Sequence, residues 1–379
     1  MNLSLTATQK KLQETARDFI KKECPWTLMQ KINESESGLS TDLWKKTVDL
    51  GWVGMGIPKN YGGGGYDMLD IAVIYDEMGR ALLPGPYLSA LLCGSIINEA
   101  GTEKQKKALL PDIASGKKIV AFAFTEPEYG WGPEAVQLSA KSKDGNFVLN
   151  GTKRYVFDAQ IADQLIVVAR TTKSANPANG LTLFLVDKKA KGLSSRLLRG
   201  DEAEKFSEVI FDSVEVSEDN IIGTKGGAWA ALNKPLNRAM LALSAYMVGG
   251  TQHIMDLTIF HSQNRVQFGQ PVGAFQWVQG YVIDQANHLE RSRWFTYEAL
   301  WKVDSNKPQK EQDEAVALAK ATASDAMHIA AHQAHEVHAG KGIMKSFELY
   351  LYSDKARALY PYLGDPAYHR KRVAEMLDL

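Results

Sequence analysis

The chain is predicted to be an α+β protein in three blocks: an N-terminal helical domain over residues 1–118, a middle β domain of barrel or sandwich type over 119–226, and a C-terminal four-helix bundle over 227–379. Two observations predict this. The hydrophobic period is helical up to about Lys118, becomes strand-like, and returns to helical after Gly226 and Gly227. The candidate helices beyond that point are long, which suits a bundle rather than helices laid on a sheet. At 379 residues the chain also exceeds one ordinary core, so several domains are expected.

Thr8 is positioned to cap a helix through Leu12, Ala16 and Phe19, and Thr41 precedes Leu43, Trp44 and Val48 at helical spacing. The four glycines at 62–65 break the pattern before residues 68–82 resume it. With no Gly-Lys-Ser/Thr after them, they read as an interhelix turn and not as a phosphate loop. Pro84 and Pro86 predict an ordered apolar loop over 82–88. Strand-like runs follow at 119–125, 135–141, 146–149, 164–169, 181–186 and 208–216, separated by Asp-Gly, Asn-Gly and Asn-Pro turn signals. Long helices are expected over 239–260, 276–303, 311–337 and 349–362.

Lys plus Arg and Asp plus Glu both number 44, so no global field draws nucleic acid or an anionic membrane, and anionic ligands must be met by local clusters. The two cysteines, Cys24 and Cys93, form no disulfide framework and no Cys-x-x-Cys, which fits a reducing, cytoplasmic setting. No basic region followed by an apolar run opens the chain, and no 18-residue apolar stretch occurs. The expectation is a protein that is neither exported nor membrane-spanning.

The most informative segment is Arg265-Val-Gln-Phe-Gly-Gln-Pro-Val-Gly-Ala-Phe-Gln276. A helix ends near Arg265, the chain turns at Gly269 and Pro271, and Phe275 and Gln276 open the next helix. An arginine beside such a turn suits a diphosphate, because its planar fork pairs two oxygens at once. No Gly-x-Gly-x-x-Gly occurs, so a dinucleotide would lie between domains and not on a Rossmann turn. The segment resembles the Arg-x-x-Phe-Gly-x-x-(Leu/Val/Ile)-x-x-(Phe/His)-Gln signature of the acyl-CoA dehydrogenase family. The resemblance covers essentially the whole chain and implies FAD as cofactor. Arg265, Gln267, Phe268, Phe275 and Gln276 would then reach the FAD of a neighbouring protomer.

Three further segments support the resemblance. Phe122-Ala-Phe-Thr-Glu-Pro-Glu-Tyr-Gly-Trp131 looks like the family's Thr-Glu-Pro-x-x-Gly-Ser strand end, with Phe122, Phe124, Thr125, Gly130 and Trp131 implied at the flavin and Trp131 standing where serine is common. Asn150-Gly-Thr-Lys-Arg-Tyr-Val-Phe-Asp158 resembles the family's flavin-shielding hairpin, placing Tyr155, Val156 and Phe157 at the ring. Asp158 is read as solvated at the loop; pointing inward, it would disfavour added negative charge on the ring. The run from His338 resembles the family's Gly-Gly-x-Gly turn and implies Glu336, Ala339, Gly340 and Gly342 at the FAD of the other subunit. Ala339, replacing a glycine, suggests negative φ there.

The chemistry implied is α,β-desaturation of an acyl-CoA thioester, with a buried carboxylate removing the α-proton while the β-hydrogen leaves as hydride. Both family positions for that glutamate differ here: alignment puts Leu363 on one and Asn237 on the other. Asp365 and Asp158 are therefore the candidate bases. The other readings are an FAD-holding, non-catalytic subunit paired with a paralogous glutamate-bearing chain, or base-free chemistry such as decarboxylation, reduction or desulfination. Arg238 and Lys234 are implied near CoA, with Arg238 and Trp131 as substrate contacts, and the 82–88 loop at the acyl pocket. The family also implies a homo-oligomer, dimer or tetramer, and a soluble electron-transfer flavoprotein as electron acceptor. His328, His332 and His335 share a helix face with Asp325, but no cysteine joins them. They are read as packed against the cofactor turn or a subunit contact, with no metal expected.

Overall fold

A computed structural model of the chain describes residues 4–128, 130–198 and 204–379. The N-terminal block holds helices α1 (Ala7–Glu23), α2 (Trp26–Glu34), α3 (Thr41–Asp49), α4 (Met68–Arg80), α5 (Tyr87–Ala100) and α6 (Glu103–Ala114). Thr6 and not Thr8 caps α1, because Gln9 three residues on completes a reciprocal capping box; Thr102 and Gln105 repeat it at α6. Ser40, one residue before Thr41, caps α3. The apolar loop after α4 ends at Pro86, where α5 begins.

The middle block holds β1 (Val120–Ala123), β2 (Ser139–Lys143), β3 (Asn146–Phe157), β4 (Gln164–Arg170), β5 (Leu181–Asp187), β6 (Leu193–Leu197), β7 (Phe206–Ser217) and β8 (Ile221–Ile222). Strands run in the order β6-β7-β3-β2-β4-β5-β8, with β1 parallel to β4. The β2–β4 link is the single pair Ser139–Arg170, so the domain is two sheets joined at one point. Phe147, Leu149 and Phe211 of one sheet meet Leu165, Val167 and Phe184 of the other in a core between them. The alternate residues Val120, Phe122, Ile166, Val168, Leu183 and Leu185 point the opposite way and join the helical core. Burial on both faces is why these strands read as continuous apolar runs.

The C-terminal block holds α7 (Ala228–Asn264), the hairpin β9 (Val266–Gln267) and β10 (Gln270–Pro271), then α8 (Gln276–Asp304), α9 (Gln309–His338), α10 (Leu349–Leu359) and α11 (Pro366–Met376). The long helices α7, α8 and α9 pack on one another, α10 and α11 pack on α9, and α4 crosses from the N-terminal block onto α7. Glycine permits that crossing: a Cβ at Gly79 would stand 1.9 Å from Tyr246 O, and one at Gly249 1.9 Å from Asp76 O. Among the described residues, no helix is long and apolar enough to cross a membrane.

Candidate active site

A cavity of about 100 Å³ opens where the β domain meets the helices. Strand β1 contributes Phe122, the segment after it Phe124, Thr125 and Trp131, and β3 contributes Tyr155. One face of α7 brings Trp229, Leu236, Asn237 and Met240, and the C-terminal segment adds Tyr362, Leu363, Tyr368 and Arg372. A neighbouring opening of about 350 Å³ shares Thr125, Trp131, Tyr155, Tyr362 and Leu363 with it. Asn237 and Leu363, remote in sequence, thus face the same space. Among the described residues, none lining either opening is Asp or Glu.

The strand end is anchored by an ion pair that the sequence does not reveal. Lys153 is fully buried, and its Nζ donates to Glu126 Oε1 at 2.7 Å and to Phe124 O at 2.7 Å. Glu126 in turn accepts from the backbone N–H groups of Gln137 and Leu138. Burial pushes the Lys153 ammonium down to about 8, with the Glu126 charge opposing. Arg154 N–H donates to Thr125 O, and Tyr155 stands at φ 54, a left-handed conformation that turns its ring toward the cavity.

The turn carrying Leu363 is held on its backbone. Lys320, fully buried in α9, donates from Nζ to Ser324 Oγ, Tyr360 O and Gly364 O, and burial pushes it down to about 7. His369 Nε2 donates to Leu363 O at 3.0 Å, and Leu363 itself sits at φ 60. Asn237 donates from Nδ2 to Asp313 Oδ1 at 2.6 Å and to Asn233 Oδ1 at 3.2 Å, which leaves its amide oxygen as the group free to meet a ligand.

Several sequence expectations are corrected here. Asp365 does not line the cavity; it caps α11, accepting from Tyr368 N at 2.7 Å, with Pro366 at the first helical position. Asp158 is buried and not solvated, and its carboxylate accepts from Ser89 Oγ at 2.6 Å. It lies outside the wall that holds Leu363 and Asn237, and desolvation pushes it up to about 7. The Val156 side chain belongs to the core between the sheets, and Phe157 lines a separate inner cavity. Gly130 lines neither opening; a Cβ there would meet Ala135 Cβ at 2.7 Å. Arg238 does not line the wall that Leu236 and Asn237 form, and Lys234 is mostly exposed, pairing with Glu99 at 3.4 Å.

A second cleft, of about 790 Å³, lies between the C-terminal end of α7 and the turn after α9, and shares no lining residue with the first. Arg265, Lys341, Asn264 and Gln267 supply cationic and amide donors, and Ala339 and Gly340 form its floor. That donor set fits a diphosphate, while the aromatic walls of the first cavity fit a planar ring. Phe268, Phe275, Gln276 and Glu336 do not line this cleft; Phe268 stands almost wholly exposed on the hairpin. Gly342 is buried for packing, since a Cβ there would meet His335 Nδ1 at 2.7 Å. Ala339 is at φ 50, ψ −137 and not at negative φ, so it keeps a glycine-type backbone at a cost in strain. The histidines are engaged locally: the ring of His328 packs on Tyr360, His335 Nε2 meets Ser353 Oγ, and His338 Nδ1 donates to Ala334 O. Among the described residues, no three His, Cys, Asp or Glu are arranged to hold a metal.

Ala339→Gly is expected to raise stability by about 0.5–1 kcal/mol, because relief of about 1–2 kcal/mol of left-handed strain exceeds the glycine entropy cost; a lower urea midpoint would contradict this. Burial holds His369 neutral and pushes it down to about 3. Above about pH 6.5 neither folded nor unfolded state binds this proton, while below it only the unfolded chain does, so stability is lost as pH falls toward about 3. The loss from this group is expected to be about 2 kcal/mol between pH 6.5 and 5. Urea unfolding at both pH values should show it, and His369→Gln should flatten the dependence.

Family models for the N-terminal, middle and C-terminal domains of acyl-CoA dehydrogenases match residues 6–117, 121–214 and 226–377. The chain is 30% identical over 353 residues to "Probable acyl-CoA dehydrogenase YngJ" of Bacillus subtilis, covering 92% of each chain. It is 28% identical to acryloyl-CoA reductase (NADH) of Anaerotignum propionicum, covering 99% of this chain and 95% of that one. Its fold matches the FAD complex of PigA with a TM-score of 0.91 at 25% identity over the whole of both chains. With all three domains matched in order around an aromatic cavity, the chain belongs to the acyl-CoA dehydrogenase family.

Proposed function

We propose that this chain is an FAD-dependent acyl-CoA dehydrogenase that removes the α and β hydrogens of an acyl-CoA thioester. The observation that carries the reading is the convergence of Thr125, Trp131, Tyr155, Asn237 and Leu363 on one aromatic cavity between the β domain and α7. When bound, FAD supplies the hydride acceptor. Phe124, Thr125, Trp131 and Tyr155 would hold its ring, and Arg265, Gln267 and Gly340 of a second copy its diphosphate. Two clefts without a shared lining residue support a homo-oligomer in which each site is completed across an interface. The proposed electron acceptor is a soluble electron-transfer flavoprotein.

This chain's own residues orient the thioester and exclude water: Phe122, Trp229, Leu236 and Met240 make the wall apolar, and Arg372 places a cation at its edge. No described residue of that wall is Asp or Glu, so the α-proton acceptor is not among the lining side chains. The purified protein is expected to be yellow, with a band near about 450 nm from the oxidised ring, and to bleach on anaerobic titration with its acyl-CoA. A colourless protein after reconstitution with FAD would refute the reading. Bleaching that appears only when a paralogous, glutamate-bearing chain is added would instead establish the paired-subunit reading.

Leu363→Glu is expected to raise single-turnover desaturation by on the order of 100-fold, the contribution of a positioned general base. Asn237→Glu should give far less, because Asp313, now 2.6 Å from the Asn237 amide, would hold a second carboxylate protonated. Stopped-flow bleaching of both variants measures this; equal gains would sink the argument.

A further inference from the structure

Behind the Phe157 and Tyr362 rings, whose centroids are 5.5 Å apart, lies an inner cavity of about 40 Å³ with a mixed wall. Leu83, Pro84, Leu88 and Leu243 make most of it apolar. Lys355 and Glu204 line it as an ion pair in which the lysine is fully buried. Asp158 stands close enough to feel both charges. The Tyr246 hydroxyl is also in this wall, buried and without a hydrogen-bond partner among the described residues. A buried unpaired hydroxyl costs about 1–3 kcal/mol, and the space beside it is enough for a small polar group.

The two cavities lie along one stripe of α7. Leu236, Asn237 and Met240 line the outer one, and Leu243 and Tyr246 line the inner one, at steps of three and four residues. From Asn237 to Tyr246 is about 13 Å at about 1.5 Å per residue. We propose that the acyl group this chain accepts is of medium length and carries a neutral oxygen, a hydroxyl or a ketone, at its far end, where the Tyr246 hydroxyl receives it. The proposal rests on the acyl-CoA reading above and names the substrate class within it.

Charge balance selects the neutral group. Lys355 is already matched by Glu204, and among the described residues lining the cavity there is no second cation, so a terminal carboxylate would add a negative charge beside Glu204 and Asp158 with no further lining cation to meet it, and a buried unpaired charge is strongly destabilising. A terminal ammonium would compete with Lys355 for the same carboxylate. A plain hydrocarbon end leaves Tyr246 unpaired. A hydroxyl or carbonyl oxygen pairs with Tyr246 and adds no charge.

The test is calorimetric binding of decanoyl-CoA, its ω-hydroxy derivative and its ω-carboxy derivative to the FAD-loaded protein and to Tyr246→Phe. The ω-hydroxy compound is expected to bind wild type about tenfold more tightly than decanoyl-CoA, one net neutral hydrogen bond, and the ω-carboxy compound more weakly than either. Tyr246→Phe should abolish the ω-hydroxy advantage and keep a urea midpoint no lower than wild type, since it loses only an unpaired group. Equal wild-type affinities for all three, or an advantage that survives in Tyr246→Phe, would overturn the inference while leaving the acyl-CoA reading intact. A lowered midpoint would also overturn it, because the hydroxyl would then have a partner. Failure to bind any of the three would overturn the acyl-CoA reading and the inference with it.

Discussion

The sheet of β1, β4 and β5 is buried on both faces, and that double burial determines where a cavity can form. Its alternate residues belong to two cores: Ala121, Leu165 and Phe184 to the one between the sheets, and Val120, Ile166 and Leu183 to the helical one. The β domain is therefore fused to the helices through a shared layer rather than tethered by a linker. Where β1 ends at Ala123 the layer stops, and Phe124 and Thr125 emerge into the junction. The Lys153–Glu126 pair fixes the path they take, by holding Phe124 O and the backbone of Gln137 and Leu138 at once. Breaking a buried pair of this kind typically costs about 3–5 kcal/mol.

The opposite wall is built by a different device with the same physics. A lysine from α9 satisfies the carbonyls at both ends of the turn over 360–364, and His369 satisfies that of Leu363. Both polar groups are buried, and desolvation weakens their hold on a proton. The turn can then sustain a leucine at positive φ beside Gly364. Around the cavity, Tyr155 and Leu363 share this left-handed geometry, which is strain the surrounding hydrogen bonds maintain.

Much of this architecture is legible in the sequence, and the gaps have physical causes. The change of period at Lys118 and Gly226 reports the blocks because strands and helices repeat differently. Strand β6 is missed because Leu193–Leu197 pairs at a sheet edge and is largely polar and exposed. Asp365 is misread as a base although Asp-Pro is a helix-start signal, and α11 begins there. Thr6-x-x-Gln9 is likewise a capping box visible in the residues. The buried lysines 153, 320 and 355 cannot be seen, since lysine is ordinarily a surface residue and nothing local marks these three. The polar part of the inner cavity is hidden for the same reason, because Glu204, Tyr246 and Lys355 come from three separate elements or loops.

Leucine at 363 and asparagine at 237 are compatible with an intact framework because backbone contacts, not the side chain at 363, shape the turn. Lys320 and His369 bind main-chain oxygens, so the identity of residue 363 can change without disturbing Tyr362, Gly364 or the α11 cap. Position 237 is different. Its amide is one strand of a network with Asn233, Gln309 and Asp313, and each member's donors are already directed. A carboxylate there would meet Asp313 and be held protonated, whereas the amide is neutral and fully compatible. The two positions thus carry unequal constraints: 363 is permissive, and 237 is committed to the side of α7 that faces Asp313. The shape of the turn and the identity of its side chain are thus separable here, because the contacts that hold the turn are made to its backbone.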